Sequence, residues 1–578
     1  MTPLRFVATA LWFLVCAPPA LGGWSPDGVT ITPTTASIPK LTACSDGGFG
    51  TFVAWQEEAT PGQGILKIQH VLPAGDLDGA WPAEGAIACA AEAARSPLGA
   101  LPDDLGGVYV WWLEGSSFYL TRVAADGSVA AGWPARGRLL GVAGETTSIP
   151  SVIGDGMNGV YAAWAASNPI SVDPVTPLAV HLGPSNTGAG GWPNSPRGLA
   201  PSTAVATYEF WPRLALAPDG GIFAAWATCS GDTDVAPSHW HLGRRTSAGV
   251  PAPGWTAEGM DWGPVGCDLI QNPNVGLVDV SPDGRGGAFL LIANPTGAEY
   301  GYTEVRPLIY RLLGDGTSAP DWPADGRLFS SSEAVEVNSA EGSYRVFGDG
   351  RDGVLAGGPV TYTDSPPYYG LNRFSGDGTS AGSTQGAMAG HELALKGDGG
   401  LFFAEFSPTG PRGLYEPPAY QHVAQTFGPD AWSDWWEVHS EVFLAWYGDI
   451  GLASTGDGGA VFYWSQVRDR IGLFARRFGP TGQTTAVPST CGPLALRSLR
   501  FVSGRGVVAS IMIPRTSSGR LELFDVLGRR VARADLERAA PGLQEIDIPV
   551  TAGLHAGLYF ASLTTGSGHG GGRVVVAR

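Results

Sequence analysis

The chain has 578 residues, a net charge of −18 and only 15% charged residues. Its 85 Gly, 46 Pro and 20 Trp, with no long helical period, favour an all-β protein with many turns. The acidic balance argues against non-specific binding to nucleic acid. Because the length exceeds what one hydrophobic core usually holds, we expect a large β domain and a smaller one.

The first 22 residues have the pattern of a secretory signal. Arg5 supplies the positive charge, residues 6–16 are apolar, and Ala20-Leu-Gly22 is a small-x-small cleavage site. The apolar run is too short to span a bilayer as a stable helix, and no later segment is long enough. We therefore expect residues 1–22 to be removed and the exported chain to have no transmembrane segment.

Export permits disulfides, and five Cys follow the expected leader. Cys44 and Cys89 fall within one sequence repeat, as do Cys229 and Cys267, so either pair could be close in space. Cys491 would then be left over, and the pairing stays open. The sequence has no Cys-x-x-Cys, so a structural zinc site is not expected.

A unit that begins with Asp recurs eight times, at spacings of 49 to 66 residues. In residues 155–164 an Asp-Gly turn leads to the apolar run Val-Tyr-Ala-Ala-Trp, which indicates a strand buried on both faces. An alternating strand and a Trp-Pro segment follow in most copies. The leading residues are Asp46, Asp104, Asp155, Asp219, Asp283, Asp349, Asp398 and Asp457. Eight such units predict an eight-bladed β-propeller over residues 23–486, with seven blades as the alternative.

The two ends of this region complement each other. The eighth unit stops near residue 482 without a Trp-Pro strand, and the exported chain opens with Gly23-Trp-Ser-Pro-Asp-Gly-Val-Thr-Ile31. We expect residues 24–32 to supply the missing strand and to pair beside residues 473–478 in the last blade. This pairing would close the ring and remove an open sheet edge.

The character of the chain changes after a linker at residues 487–496. Residues 497–578 contain 11 Arg, no Lys and six acidic residues, a net charge of +5 against −23 for the rest. Short alternating strands such as 521–531 and 543–548 indicate a small immunoglobulin-like β-sandwich in this tail.

Three motifs of the tail are Leu523-Phe-Asp-Val-Leu-Gly-Arg-Arg-Val531, Ala556-Gly-Leu-Tyr-Phe560 and Arg573-Val-Val-Val-Ala-Arg578. In this order they resemble the C-terminal sorting domain of type IX secretion (Por secretion system) cargo, and the tail is also similar to the FlgD-type immunoglobulin-like domain. The resemblance implies contact with the secretion machinery and delivery across the outer membrane, to the medium or the cell surface. The Gly-rich segment 566–572 departs from the family pattern as a longer turn before the last strand.

Sequence motifs single out no catalytic residue. The sequence contains no Gly-x-Ser-x-Gly, no His-Glu-x-x-His and no complete EF-hand loop. His239 and His241 would share one face of a strand, but without an identifiable third ligand we expect no metal site. We expect no cofactor either.

The most unusual loops belong to the sixth and seventh units and are rich in aromatic residues. Such side chains stack on sugars or anchor a protein partner, although here they could instead cover a blade whose Trp-Pro strand is degenerate. The candidate binding residues are Tyr368, Tyr369, Tyr415, Tyr420, Trp432, Trp435 and Trp436.

These observations predict an exported, monomeric, extracellular or cell-surface protein that binds a glycan or a protein and has no nucleic-acid partner. One alternative is a secreted polysaccharide hydrolase or lyase with its site at the central mouth of the propeller. Another is a structural surface protein. Binding is favoured over catalysis because the motifs identify no catalytic group.

Overall fold

The computed structural model describes residues 24, 28–34, 36–60, 63–89, 95–115, 117–142, 150–166, 176–199, 207–230, 238–265, 278–299, 302–329, 335–337, 344–349, 352–362, 365–387, 392–395, 401–409, 419–427, 436–442, 450–455, 459–466, 472–479, 495–502, 506–513, 517–525, 529–539, 542–548, 557–565 and 568–576. Every regular element in these segments is a β-strand. No helix found there has the length and apolar character needed to cross a membrane. The expected leader and residues 487–494 of the linker lie outside the described residues.

The first seventeen strands cover residues 29–265. In chain order they are β1 (Val29–Pro33), β2 (Leu41–Ser45), β3 (Thr51–Thr60), β4 (Gln63–Val71), β5 (Ala86–Cys89), β6 (Arg95–Pro102), β7 (Val108–Glu114), β8 (Ser117–Val123), β9 (Arg138–Val142), β10 (Ser151–Gly154), β11 (Val160–Ala166), β12 (Thr176–Leu182), β13 (Arg197–Gly198), β14 (Thr207–Leu216), β15 (Ile222–Ser230), β16 (Ser238–Arg245) and β17 (Met260–Val265). From β2 onward they form four-stranded antiparallel sheets in chain order: β2–β5, β6–β9, β10–β13 and β14–β17.

The next strands cover residues 278–478. They are β18 (Val278–Pro282), β19 (Ala288–Glu299), β20 (Tyr302–Leu312), β21 (Arg327–Leu328), β22 (Val335–Val337), β23 (Arg345–Gly348), β24 (Val354–Tyr362), β25 (Ser365–Phe374), β26 (Ser380–Ala387), β27 (Glu392–Leu395), β28 (Leu401–Thr409), β29 (Ala419–Phe427), β30 (Trp436–Val442), β31 (Ile450–Ser454), β32 (Ala460–Gln466) and β33 (Gly472–Phe478). β27–β30 form a four-stranded sheet, and β31–β33 form another with β1. β18–β26 form a nine-stranded sheet in which β22 pairs with both β20 and β24.

Sheets that follow one another in the chain also lie beside one another. The first strands β2, β6, β10, β14, β18 and β23 pack side by side in that order, and β27 packs beside β31. β31 also packs beside β2, so the series of sheets returns to its start. The described chain is therefore all-β, and its repeated antiparallel sheets are consistent with a β-propeller whose first strands line the centre.

The prediction that the N-terminal strand completes the last sheet is confirmed. β1 pairs antiparallel with β33, with Val29 opposite Ala475 and Thr32 opposite Leu473. Trp24, just before β1, is buried, and its Nε1 donates a hydrogen bond of 3.0 Å to the carbonyl of Pro73. The N-terminal segment thus holds the last sheet against the first one.

This contact repeats in three other sheets, at two Trp-Pro segments and at the equivalent Trp-Thr segment of the fourth sheet. Trp81, Trp133 and Trp255 each donate a 2.9 Å hydrogen bond to the next sheet; the acceptors are the carbonyls of Ala125, Pro184 and Gly314. Each acceptor is the second residue of a five-residue turn after the sheet's third strand, and Pro73 has the same position. Trp322 departs from this pattern because it donates to Ile309 within its own sheet. The segment before β1 therefore takes the place of the missing Trp-Pro segment.

In seven of the sequence units, a turn joins the first two strands of the unit and is closed by a hydrogen bond from the N–H of residue i to the carbonyl of residue i+4. An Asp at position i adds side-chain bonds: Oδ1 of Asp103 accepts the N–H groups of Leu105 and Gly107, both at 2.7 Å. In the described copies, position i is occupied by Asp46, Asp103, Asp155, Ala217, Asp283, Asp349 and Thr455.

Three leading residues were therefore predicted at the wrong position of this turn. Asp103 and not Asp104 begins the second copy, Ala217 precedes Asp219 by two residues, and Thr455 likewise precedes Asp457. The error has a physical source. An Asp-Gly pair can occupy positions i and i+1 of the turn, as in Asp155-Gly156, or positions i+2 and i+3, as in Asp219-Gly220, and Gly has a positive φ in both cases. Asp398 and Asp457 themselves lie outside the described residues.

No disulfide joins Cys44 to Cys89, so that suggested pairing is wrong. The two residues lie on β2 and β5, the opposite edges of one sheet, about 14 Å apart at the usual strand spacing. A disulfide needs Cα atoms within about 7 Å. Cys229 lies on β15, whereas Cys267 and Cys491 fall outside the described residues, so their pairing stays open.

The tail forms two sheets that share one core. Its strands are β34 (Ala495–Val502), β35 (Gly506–Ile513), β36 (Ser517–Asp525), β37 (Arg530–Ala539), β38 (Gly542–Ile548), β39 (Gly557–Thr565) and β40 (Gly568–Val576). β34, β35 and β38 form one sheet, and β37, β36, β39 and β40 form the other. Ile511 and Ile548 from the first sheet pack with Leu521 and Leu563 from the second. Most of the Gly-rich segment predicted as a turn belongs to β40.

Candidate functional site

Three charged residues occupy the same level on three neighbouring central strands. Arg213 on β14, Asp279 on β18 and Arg345 on β23 each lie opposite the fourth residue of the second strand of their own unit. We call these three residues the inner cluster. Each of them comes four residues before position i of the Asp turn, so the cluster lies towards the other end of the ring from those turns.

Asp279 is the centre of the inner cluster. Its side chain is only 9% exposed, and its Oδ2 accepts the backbone N–H of Val346 at 2.9 Å and the Nε–H of Arg345 at 3.3 Å. A buried carboxylate is costly unless donors of this kind surround it. Asp279 therefore fixes β23 against β18 and sets the direction of the Arg345 side chain.

Arg345 connects the cluster to solvent. Its side chain is 50% exposed, and its guanidinium carbon lies 5.3 Å from the ring centroid of Phe347. Because the two residues are two positions apart on one strand, both side chains lie on the same face. A planar cation and an aromatic ring thus lie together at the central strands.

Arg213 is the inner member of the cluster. Burial lowers the pKa of Arg213 to about 10, the charge of Asp279 opposes this shift, and the charge of Arg345 adds to it. At neutral pH the Arg213 side chain therefore keeps its proton. The pKa of Arg213 thus responds to the charges of both other members of the cluster.

Serine side chains hold the strands around the cluster in a similar way. Oγ of Ser151 accepts the N–H of Leu214 at 3.0 Å, and Oγ of Ser281 accepts the N–H of Gly348 at 2.8 Å. A side chain at Gly348 would place its Cβ 2.3 Å from the carbonyl oxygen of Pro282, so β23 approaches β18 closely. The backbone around the cluster is therefore fixed by contacts between adjacent sheets, which favours a preformed site.

A second set of charged pairs surrounds the Asp turns at the other ends of the sheets. Asp103 contacts Arg122 at 2.7 Å, and Asp155 contacts His181 at 2.8 Å. Equivalent pairs in the later sheets join Asp283 to Arg311 and Asp349 to Arg373. Their aspartates are buried and also accept the N–H groups of the turn. We assign these pairs to the stability of the sheets.

His70 occupies the cation position of the first sheet and contacts two carboxylates. Its Nδ1 lies 2.8 Å from Asp78 and its Nε2 lies 3.2 Å from Asp46. Burial by itself lowers the pKa of His70, but the hydrogen bonds and charges of the two aspartates outweigh burial and raise the pKa above its usual value. His70 thus joins Asp46, at position i of the first Asp turn, to Asp78 in the segment between β4 and β5.

The two histidines predicted to share a strand face lie on β16, with ring centroids 6.4 Å apart. Nδ1 of His239 lies 2.9 Å from both carboxylate oxygens of Asp261. Burial lowers the pKa of His241, so that ring is neutral at pH 7. Throughout the described segments, no group of three or more His, Cys, Asp or Glu is placed to hold a metal ion.

The aromatic candidates were predicted in loops, and this placement is wrong for four of them. Tyr368 and Tyr369 lie in β25, Tyr420 lies in β29 and Trp436 begins β30. The other three candidates, Tyr415, Trp432 and Trp435, lie outside the described residues. A role of the seven residues in binding stays a prediction.

The sequence contained a signal for the inner cluster that the predictions missed. Arg213, Asp279 and Arg345 are charged residues inside short apolar runs, and each precedes a turn by the same number of residues. A charge in a strand predicted to lie at the centre of a sheet stack requires a partner. Comparing the units at this position would have found all three residues.

No protein-family model matches the sequence, and no curated protein matches it either. The solved structures that resemble the chain include two β-propeller proteins. The first is an α-L-arabinanase of Penicillium chrysogenum, at 11% identity and a TM-score of 0.29, covering 62% of this chain and 98% of the enzyme. The second is prolyl oligopeptidase B of Galerina marginata, at 9% identity and a TM-score of 0.37, covering 75% of this chain and 56% of that enzyme. Likenesses this distant leave the activity of the chain open.

Proposed function

We propose that the chain is an exported binding protein, in which an eight-bladed propeller holds a glycan at the inner cluster and the tail directs export. The observation that carries the binding part is the inner cluster itself. A few polar groups fixed at the centre of a scaffold, with an aromatic ring beside them, are typical of a site that recognises a small ligand. The cluster fixes a guanidinium at the solvent boundary, which favours recognition of a ligand over proton transfer.

Eight blades are supported by the composition of the nine-stranded sheet. β18–β21 and β23–β26 each contain four strands, as the other sheets of this region do, and a single residue pair, Glu336 with Thr361, links β22 to the second group. Counting the two groups separately gives one blade for each sequence unit. The blade that β1 completes is then the eighth.

The export part is supported by the tail motifs and by the four-stranded sheet to which their described residues belong. We propose that the secretion machinery recognises the tail and delivers the chain to the medium or the cell surface. A reporter with a leader and residues 497–578 should be exported by a host with type IX secretion. The same reporter ending at residue 572 should stay in the periplasm, because it lacks most of the apolar part of β40. Equal export of both reporters would contradict the proposal.

The binding part is tested by incubating the full chain with an array of bacterial, plant and algal glycans. We expect a defined subset of glycans to retain the chain, with no new reducing ends appearing in the bound polysaccharide. New reducing ends or unsaturated ends would instead assign the hydrolase or lyase alternative. Absence of binding to every glycan would contradict the proposed function.

A further inference from the structure

At the end of the ring opposite the inner cluster, the Asp turns of the second and third units carry exposed apolar side chains. Leu105 is 49% exposed and Met157 is 69% exposed. Both residues occupy position i+2 of their turns. In the other turns whose position i+2 is described, the equivalent residues are Gly48, Asp219 and Arg285, and Arg285 pairs with Asp352 of the next unit. Among the described copies, a large apolar side chain at the tip of the turn is therefore specific to these two units.

The two turns are fixed by hydrogen bonds, both internally and to each other. The backbone N–H groups of Leu105 and Met157 donate to Oδ1 of the Asp at position i of their own turns, at 2.7 and 2.6 Å. Tyr109, just after the first of these turns, donates a 2.7 Å hydrogen bond to the carbonyl of Asn158 in the second. The apolar tips are thus held by an ordered backbone, which lowers the entropy cost of binding a partner.

We propose that Leu105, Met157 and Asp104 form a docking surface for a protein partner, which binds through a segment where Lys or Arg flanks an apolar side chain. We call these three residues the turn surface. The inference does not depend on the glycan proposed for the inner cluster, because the two sites lie towards opposite ends of the ring.

The basic character of the partner follows from the charges at this end of the ring. The first three units place six turns here, which together contain six Asp and no Lys, Arg or His. These turns are residues 46–50, 72–76, 103–107, 124–128, 155–159 and 183–187. The cations that pair with the Asp at position i have side chains no more than 12% exposed; they are His70, Arg122 and His181. Asp76, Asp104 and Asp126 are exposed. A negative surface of this kind attracts a basic partner and repels an acidic one.

Asp104 is the residue of the turn surface that binds the cation of the partner in this proposal. Its φ is +55°, in the left-handed region that residues other than Gly rarely adopt. Burial raises the pKa of Asp104, and the charges of Asp103 and Asp155 raise it further. A guanidinium or ammonium group from a partner would offset this repulsion between carboxylates. Backbone strain of this kind is found most often at functional positions.

The test selects peptides from a random display library on the full chain and measures their affinities by calorimetric titration. We expect the selected peptides to contain Lys or Arg beside Leu, Met or Phe. The double variant Leu105→Gln with Met157→Gln should weaken their binding roughly tenfold or more, as expected when central apolar contacts are lost. Asp104→Asn should weaken binding about twofold to fivefold, the range for an exposed ion pair, and the remaining binding should depend less on salt concentration.

Leu313→Gln and Asp315→Asn are the matched controls. Both residues are exposed and lie in the turn after β20, at the same end of the ring as the turn surface but in the fifth unit. These variants should bind the peptides as tightly as the parent chain, and all variants should show its far-ultraviolet circular dichroism.

Three results would overturn the proposal: no peptide is selected, the selected peptides lack basic residues, or the double variant binds them as tightly as the parent chain. Equal weakening in the control variants would also overturn it, since binding would then not be specific to the turn surface. Vesicles of neutral lipid are the second probe. Binding of the parent chain to these vesicles that the double variant loses would assign the turn surface to a membrane instead of a protein.

Discussion

The contact of Trp24 with the first sheet gives a quantitative prediction for ring closure. The Trp24 side chain is 5% exposed, and its indole ring would lie 3.1 Å from a Cβ built on Gly75. Truncating a buried Trp to Ala costs about 3–5 kcal/mol of the free energy of unfolding. About 1 kcal/mol of this comes from the hydrogen bond to Pro73. Trp24→Phe, which keeps a ring but loses the donor, should lose about 1–2 kcal/mol.

Trp133→Ala is the matched control because Trp133 makes the same contact with Pro184 between two sheets that the chain connects. Both Ala variants should lower the urea midpoint by similar amounts. Only Trp24→Ala should speed amide hydrogen exchange in β1 and β33, because β1 reaches the last sheet without chain continuity and can open locally. Unchanged exchange in β33 of Trp24→Ala, or an equal increase in Trp133→Ala, would refute this reasoning.

Three further predictions concern stability. The pKa of His70 is raised in the folded state, so its stabilising effect is complete below about pH 6.5, the unfolded value. It is lost as the pH rises above about 6.5 and through the raised folded pKa, so the urea midpoint of the parent chain should fall over that rise in pH, but less in His70→Arg. Gly28→Ala should lower the free energy of unfolding, measured in urea, by about 2–4 kcal/mol, because Gly28 has a φ of +78° and an added Cβ would lie 2.5 Å from the indole ring of Trp464. Gly284→Ala is the control: Gly284 has a similar φ of +74° but open space around it, so this variant should lose only about 1 kcal/mol. Asp103→Ala should lower the melting temperature by several degrees, because it removes the carboxylate that accepts the N–H groups of the turn. Asp104→Gly should raise the melting temperature slightly, because Asp104 has a φ of +55° and its pKa is raised by burial and by the neighbouring aspartates.

The features predicted well are those that depend on local chemistry repeated along the chain. Turns rich in Gly, apolar runs ending in Trp, and Trp-Pro segments are visible in each unit, so their repetition predicted the sheets. The pairing of β1 with β33 followed because one unit lacked a strand that the N-terminus could supply. The turn at Asp103 was misplaced by one residue because the two adjacent aspartates satisfy the same pattern.

The candidate site could be predicted much less well. Arg213, Asp279 and Arg345 are more than sixty residues apart in sequence, and only the packing of successive sheets brings them together. The aromatic candidates were chosen for their composition, which does not distinguish a long loop from a strand: Tyr368 lies in β25. The Cys44 and Cys89 pairing failed for a related reason, since residues of one unit can lie on opposite edges of its sheet.

The central claim, that the ligand lies on the inner cluster, is tested most directly by arginine labelling. The full chain is treated with phenylglyoxal with and without the glycan selected by the array, and the modified residues are quantified by mass spectrometry. We predict that the glycan slows modification of Arg345 by at least about fivefold, the effect of a site more than 80% occupied. Arg285 should react at the same rate in both samples. Equal slowing of both residues, or slowing of Arg285 alone, would contradict the account.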